Sequence, residues 1–227
     1  MLILWRIVMN RNTVLMALAT LGLVLGSSTA RSAQYTIDSV HSDVSFTIKH
    51  LVVSKTRGSF TKFSGEFSYD DKDASTWNAN AVIEAASINT ANEMRDNHLR
   101  GAEFFEVEKY PTLTFKSTKI TDVKADSAKM EGWLSMHGIE KPVVLDLKIG
   151  GVIKDPMGEI RAGFEASTVI NRKDFGITYN KMLDSGGMAL GEEVEISIHI
   201  EGVQKKEVVE NAVAKPAVKD KKVPAKK

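Results

Sequence analysis

The chain contains no cysteine, and that absence removes several chemistries at once. No disulfide can form. Thiolate metal sites, iron–sulfur clusters and thiol nucleophiles are excluded, as is a lipid-modified cysteine. An activated serine is missing too. Ser185-Gly186-Gly187 and Ser135-Met136-His137-Gly138 come nearest, and neither has the Gly-x-Ser-x-Gly turn that exposes a nucleophile. The glycine-rich stretch 184–191 lacks the Lys-Ser/Thr of a phosphate loop. The histidines at 41, 50, 98, 137 and 199 show no short ligand spacing, so no metal is expected. These absences point away from an enzyme and toward a protein that binds without a cofactor.

Both ends differ from the middle. Residues 1–30 have the grammar of a secretory signal: Arg6 and Arg11, an apolar run from Thr13 to Leu25, then small residues ending in Ser28-Thr29-Ala30. The run is short for a membrane span of roughly 20 residues. Export to the periplasm is the expectation, with cleavage before Arg31. From Val203 to Lys227 the chain holds eight lysines and no aromatic residue. Such a segment buries too little to offset its ordering entropy, so a disordered basic tail is expected there. Its options are transient contact with anionic membrane or envelope polymer, or no partner. The net charge of +1 divides into +2 for the leader, +5 for the tail and −6 for residues 31–202. That acidic middle disfavours nucleic-acid binding.

What is abundant is period-two alternation. Val44-Ser45-Phe46-Thr47-Ile48-Lys49 alternates without a fault, and so do the runs Val143 to Ile149 and Val194 to Ile200. Strands are expected near 35–39, 42–50, 58–69, 77–87, 112–121, 128–136, 142–150, 160–170 and 192–201. Turns are signalled at 70–73, at His137-Gly138, at Gly150-Gly151 and at 155–158. Only Asn89 to Tyr110 breaks the pattern. There the spacing of Met94, Leu99 and Phe104 suits a short helical crossover, ended by Pro111. An all-β antiparallel barrel or sandwich in one domain, residues 31–202, follows.

Specific blocks then appear in order. Ile37-Asp38, His41-Ser42 and Val44-Ser45-Phe46 are followed by Lys49-His50-Leu51 and Arg57-Gly58. Next come Ser87 to Thr90, Arg95 to Leu99, Phe104-Phe105, Tyr110-Pro111 and Phe115-Lys116-Ser117. Lys141-Pro142-Val143, Gly163-Phe164, Asn171 to Gly176 and Val194-Glu195-Ile196 complete the series. In these blocks, from Tyr35 to Gly202, the chain resembles the YceI-like family of periplasmic polyisoprenoid-binding proteins. The resemblance implies an eight-stranded, extended, lipocalin-like antiparallel barrel with a long apolar pore. It implies a polyprenyl phosphate or quinone-like lipid in that pore, for transport or storage, and it establishes no catalytic activity. The alternative is an envelope stress-response protein that binds a partner through its surface or basic tail. Monomer and homodimer both stay open.

The candidate ligand-binding residues are Val44, Phe46, Ile48, Phe67, Ile83, Phe115, Leu134, Leu145, Phe164 and Ile196, all on alternating faces, with Arg95 and His98 as polar groups. Parity shows that the apolar set shares faces. It leaves open whether the centre is filled or hollow; the family resemblance favours hollow. Arg95 and His98 either meet a lipid headgroup or, with Asp96, tie the crossover to the wall. Asn171 to Gly176 is either a pore rim or a strand-end turn.

Overall fold

The computed structural model describes residues 32–51, 53–184 and 186–206. The expected leader and the tail from Glu207 onward lie outside the described residues. Eleven strands follow one another: β1 (Ala33–Ile37), β2 (Asp43–His50), β3 (Ser54–Phe60), β4 (Phe63–Tyr69), β5 (Asn78–Glu84), β6 (Ile88–Asn89), β7 (Thr112–Thr121), β8 (Ser127–Met136), β9 (Ile139–Lys154), β10 (Ile160–Asn171) and β11 (Leu190–Gln204). One α-helix, α1 (Glu93–Arg100), and three 3₁₀ turns complete the order among the described residues.

All pairings are antiparallel, and they close an eight-walled barrel. Three walls are each built from two short strands in line. β1 and β2 form one, β3 and β4 the next, and β5 and β6 the third. β11 then closes the ring, pairing with β10 on one edge and with β2 and β1 along the other. Closure leaves no long unpaired edge for another chain to extend.

Each break has a local cause. Between β1 and β2 the Asp38 carboxylate accepts a bond from the backbone N–H of Val40 at 3.0 Å, and the chain turns. Between β3 and β4 the N–H of Thr61 bonds the carbonyl of Ser87, and the N–H of Lys62 bonds its hydroxyl. The single strand expected over 58–69 is therefore two, hinged at Thr61-Lys62. Gly150-Gly151 is not a turn. It is a bulge inside β9 opposite Gly163, where a Cβ on Gly150 would stand 2.9 Å from the Gly163 carbonyl oxygen. His137 and Gly138, both at positive φ, make the two-residue β8–β9 hairpin as expected.

Asn92 caps α1, its side chain accepting from the N–H of Arg95 at 3.0 Å, with Glu93 and Asp96 in the first turn. The expected short helix is present in the crossover, with Met94 83% exposed on it. Asp96 is the residue the helix buries. β11 also runs past the expected domain end at 202. Val203 and Gln204 pair with Thr36 and Tyr35, and the N–H of Lys205 bonds the Gln34 carbonyl.

Candidate functional site

The barrel encloses a cavity of about 490 Å³, within the range of small-molecule sites. Alternation aims the even residues of β2 and β11 inward, so Val44, Phe46 and Ile48 line the cavity side by side with Ile196, the register partner of Phe46. Phe67 of β4 and Ile83 of β5 line it, as do Phe115 and Leu134, paired across β7 and β8. Leu145 of β9 and Phe164 of β10 finish the circuit. Arg95 and His98 reach the same cavity from α1. All of the expected residues thus border one space, and the centre is hollow. Along β11 the lining runs from Leu190 to Ile200, roughly 30 Å of strand at 3.3 Å per residue.

The two ends of this space differ chemically. At one end aromatic rings pack together: Tyr35 stacks on Phe67 at 5.0 Å, and Phe164 meets Phe67 at 5.3 Å and Tyr69 at 5.1 Å. Trp77 lies 4.7 Å from Tyr69 and donates its indole N–H to the Asp70 carbonyl. Burial pushes the pKa values of the Tyr35 and Tyr69 phenols up.

The other end carries positive charge. Its basic lining groups are His50, Arg95, His98, Arg172 and Lys181, and among the described residues no aspartate or glutamate lines the cavity. Contacts tie them into one region. His50 pairs with Leu190, Arg172 donates to the carbonyl of Gly191, and the carbonyl of Lys181 accepts from Ala189. The His98 ring stands edge-on to Tyr179 at 5.1 Å, and its Nε2 lies 2.6 Å from Glu103. Arg95 is clasped to Thr90, with Nε on its hydroxyl and Nη2 on its carbonyl, both at 2.7 Å. Arg95 is therefore fixed within the crossover, to the residue that follows β6, while also lining the cavity; Arg100, through the Ile88 carbonyl, makes the tie to the wall.

His50 was legible as an inward residue, since it continues the parity of Val44, Phe46 and Ile48. Tyr179 and Lys181 were not, because they sit in an irregular segment without periodicity. Asn171 to Gly176 is a 3₁₀ turn, capped by the Asn171 side chain on the N–H of Lys173, and through Arg172 it also borders the cavity. Both readings of that motif hold.

The geometry agrees with three comparisons. The model of the YceI-like domain matches residues 35–202. A UPF0312 protein of Yersinia pestis is 40% identical over 197 residues, 86% of this chain and 99% of that protein. The crystal structure of a Campylobacter jejuni YCEI protein aligns with a TM-score of 0.60 at 33% identity, covering 70% of this chain and 90% of that one. A polyisoprenoid binding domain from Saccharophagus degradans, implicated in plant cell wall breakdown, shares the fold with a TM-score of 0.54 at 16% identity, covering 77% and 99%. A hollow antiparallel barrel, matched from its first strand to its last, shows that this chain belongs to the YceI-like family.

Proposed function

We propose that the barrel binds a long-chain isoprenoid amphiphile in its cavity, as an exported, periplasmic carrier or store without catalytic activity. The observation that carries this reading is the polarity of the cavity. An apolar lumen leads from an end lined by uncharged groups to a basic end, which matches the tail and head of an amphiphile. Burial of the tail drives binding, at about 25 cal/mol for each Å² withdrawn from water, less the cost of immobilising a flexible chain. The name of the Saccharophagus degradans domain, which shares the fold, supports the isoprenoid class. The signal-like segment at 1–30 supports export, and no helix among the described residues is long and apolar enough to cross a membrane. Native mass spectrometry of protein purified from its own host, followed by lipid extraction, tests the proposal. One isoprenoid per chain is expected. Protein that carries no amphiphile, and that fails to take up geranylgeraniol, would overturn it.

A further inference from the structure

Arg172 is the third residue of interest at the basic end, and its surroundings set it apart. It is 3% exposed. Its Nε donates to the Gly191 carbonyl at 2.8 Å and its Nη1 to the Ile177 carbonyl at 2.7 Å. Both acceptors are neutral. The remaining nitrogen, Nη2, is sealed from solvent and has no hydrogen-bond partner among the described residues.

A guanidinium keeps its proton inside proteins, so a full positive charge sits here in a low-dielectric wall. Buried charges are ordinarily paired. The nearby carboxylate is Glu192, and it is engaged elsewhere: Lys173 Nζ lies 2.5 Å from its Oε1 at the surface, and Asn171 Nδ2 is 3.5 Å from its Oε2. Burial pulls the pKa of Arg172 below its ordinary value, and Glu192 only partly opposes this. The fold thus holds a desolvated cation rigidly, by its other two nitrogens, beside an apolar cavity.

We infer that Arg172 selects the headgroup of this cavity, and that the bound amphiphile is an acidic lipid whose anionic headgroup seats at the basic end beside the buried guanidinium. This rests on the reading that the cavity binds an isoprenoid amphiphile, and adds the charge class of the headgroup. A phosphate or carboxylate headgroup supplies the missing counter-charge across the low-dielectric wall. A neutral quinone supplies none. Arg95 and Lys181 add a positive field at the same end, and among the described residues no lining carboxylate repels the incoming anion. The carbonyls of Gly191 and Ile177 fix the guanidinium plane before the ligand arrives, which limits the ordering cost of binding. The signal in the sequence is the Asn171-Arg172 pair at the end of β10. The cap on Asn171 starts the turn, and the turn carries the next side chain into the wall.

The experiment compares three probes on the full chain after delipidation: geranylgeranyl phosphate, geranylgeraniol and inorganic phosphate. Isothermal titration should show the phosphate lipid binding about tenfold or more tightly than the alcohol, as one buried counter-charge warrants, with inorganic phosphate far weaker than either. In Arg172→Met the ratio between the two lipids should collapse toward one, and Arg172→Lys should restore part of it. Equal binding of phosphate and alcohol by the native chain would overturn the headgroup assignment and leave the isoprenoid reading standing. Failure of both lipids to bind would overturn both. Inorganic phosphate binding as tightly as the lipid would replace the headgroup site with a free-anion site. If Arg172→Met does not fold, ³¹P spectroscopy of the native complex decides. A buried cation beside the headgroup must lower the second pKa of the bound phosphomonoester below its value in neutral detergent micelles, and an unshifted value would sink the proposal.

Discussion

The ring of Phe46 lies across Gly58, its partner on the neighbouring strand: a Cβ placed on Gly58 would stand 2.5 Å from Phe46 Cζ. The ring therefore lies along the wall rather than across the lumen. Phe115 does the same over Gly132, also at 2.5 Å, and Phe67 over Gly202. Glycine beside a large ring lets a barrel carry aromatic lining without plugging itself. Gly58→Ala and Gly132→Ala should each cost about 1–3 kcal/mol from overpacking. They should also turn the ring inward and lower the lipid load. Urea denaturation and native mass spectrometry check the two effects. Alanine variants with unchanged stability and full lipid load would show that the rings do not depend on these glycines.

A hollow barrel also makes an uneven stability map. Ile88 is fully buried, in a cluster with Phe104, Leu113, Met136 and Phe175. Ile196 lines the cavity. Ile88→Ala leaves a new void among close neighbours and should cost about 2–5 kcal/mol. Ile196→Ala removes atoms that already face open space on one side and should cost about 1–2 kcal/mol in lipid-free protein. Chemical denaturation of delipidated variants measures both. Equal costs would mean that the lumen closes up when empty.

Much of this architecture was legible because a strand face is a local property. Val44, Phe46 and Ile48 share parity whatever lies across the barrel, and the same holds for Leu145 and Ile196. What escaped was set by distant groups. Thr61-Lys62 shifts the apolar parity between Phe60 and Phe63, a break that the single strand expected over 58–69 passed over, and Ser87 on another wall holds the hinge in place. Two consecutive glycines at 150–151 read as a turn, but the close backbone of Gly163 makes them a bulge. The spacing of Met94, Leu99 and Phe104 pointed to a short helix, but α1 is held through a polar contact that no hydrophobic pattern reveals. The charge at the cavity's end was half visible, in Arg95 and His98. Arg172, Tyr179 and Lys181 arrive there only through tertiary contacts.

That polar contact gives the next prediction. Asp96, buried on α1, accepts from the N–H of Thr90 at 2.9 Å and from its hydroxyl. Asp96→Ala leaves the Thr90 N–H without its acceptor and should cost about 1–3 kcal/mol; Asp96→Asn keeps an oxygen acceptor and should cost less. Because Arg95 and His98 ride on the same helix, a loosened α1 should release a bound fluorescent polyprenyl probe several-fold faster. Hydrogen exchange over residues 90–101 should rise in parallel. Faster exchange without faster release would separate the helix from the ligand's exit.

Acid sensitivity should come from the opposite side of the wall pairings, around Arg161. Its Nη1 lies 2.9 Å from Asp38 and 2.6 Å from Glu201, and its Nε 2.8 Å from Asp155, so one guanidinium joins the β1–β2 turn, the β9–β10 turn and β11. Asp38, His41 and Glu201 lie close enough together to hold a cation, and the Arg161 guanidinium bridges the two carboxylates. Hydrogen bonds from His41 and then Arg161 hold the Asp38 carboxyl down at about 2, against an ordinary value of about 3.9. A depressed carboxyl pKa stabilises the fold fully above the unfolded value, and that contribution disappears as pH falls through the folded one. The native chain should therefore lose this contribution between about pH 4 and pH 2. In Arg161→Met, carboxyl titration by NMR should find Asp38 moved up toward its ordinary value, and the acid-unfolding midpoint should move up with it. Coincident acid transitions in the two proteins would show that the cluster contributes nothing to the barrel's resistance to acid.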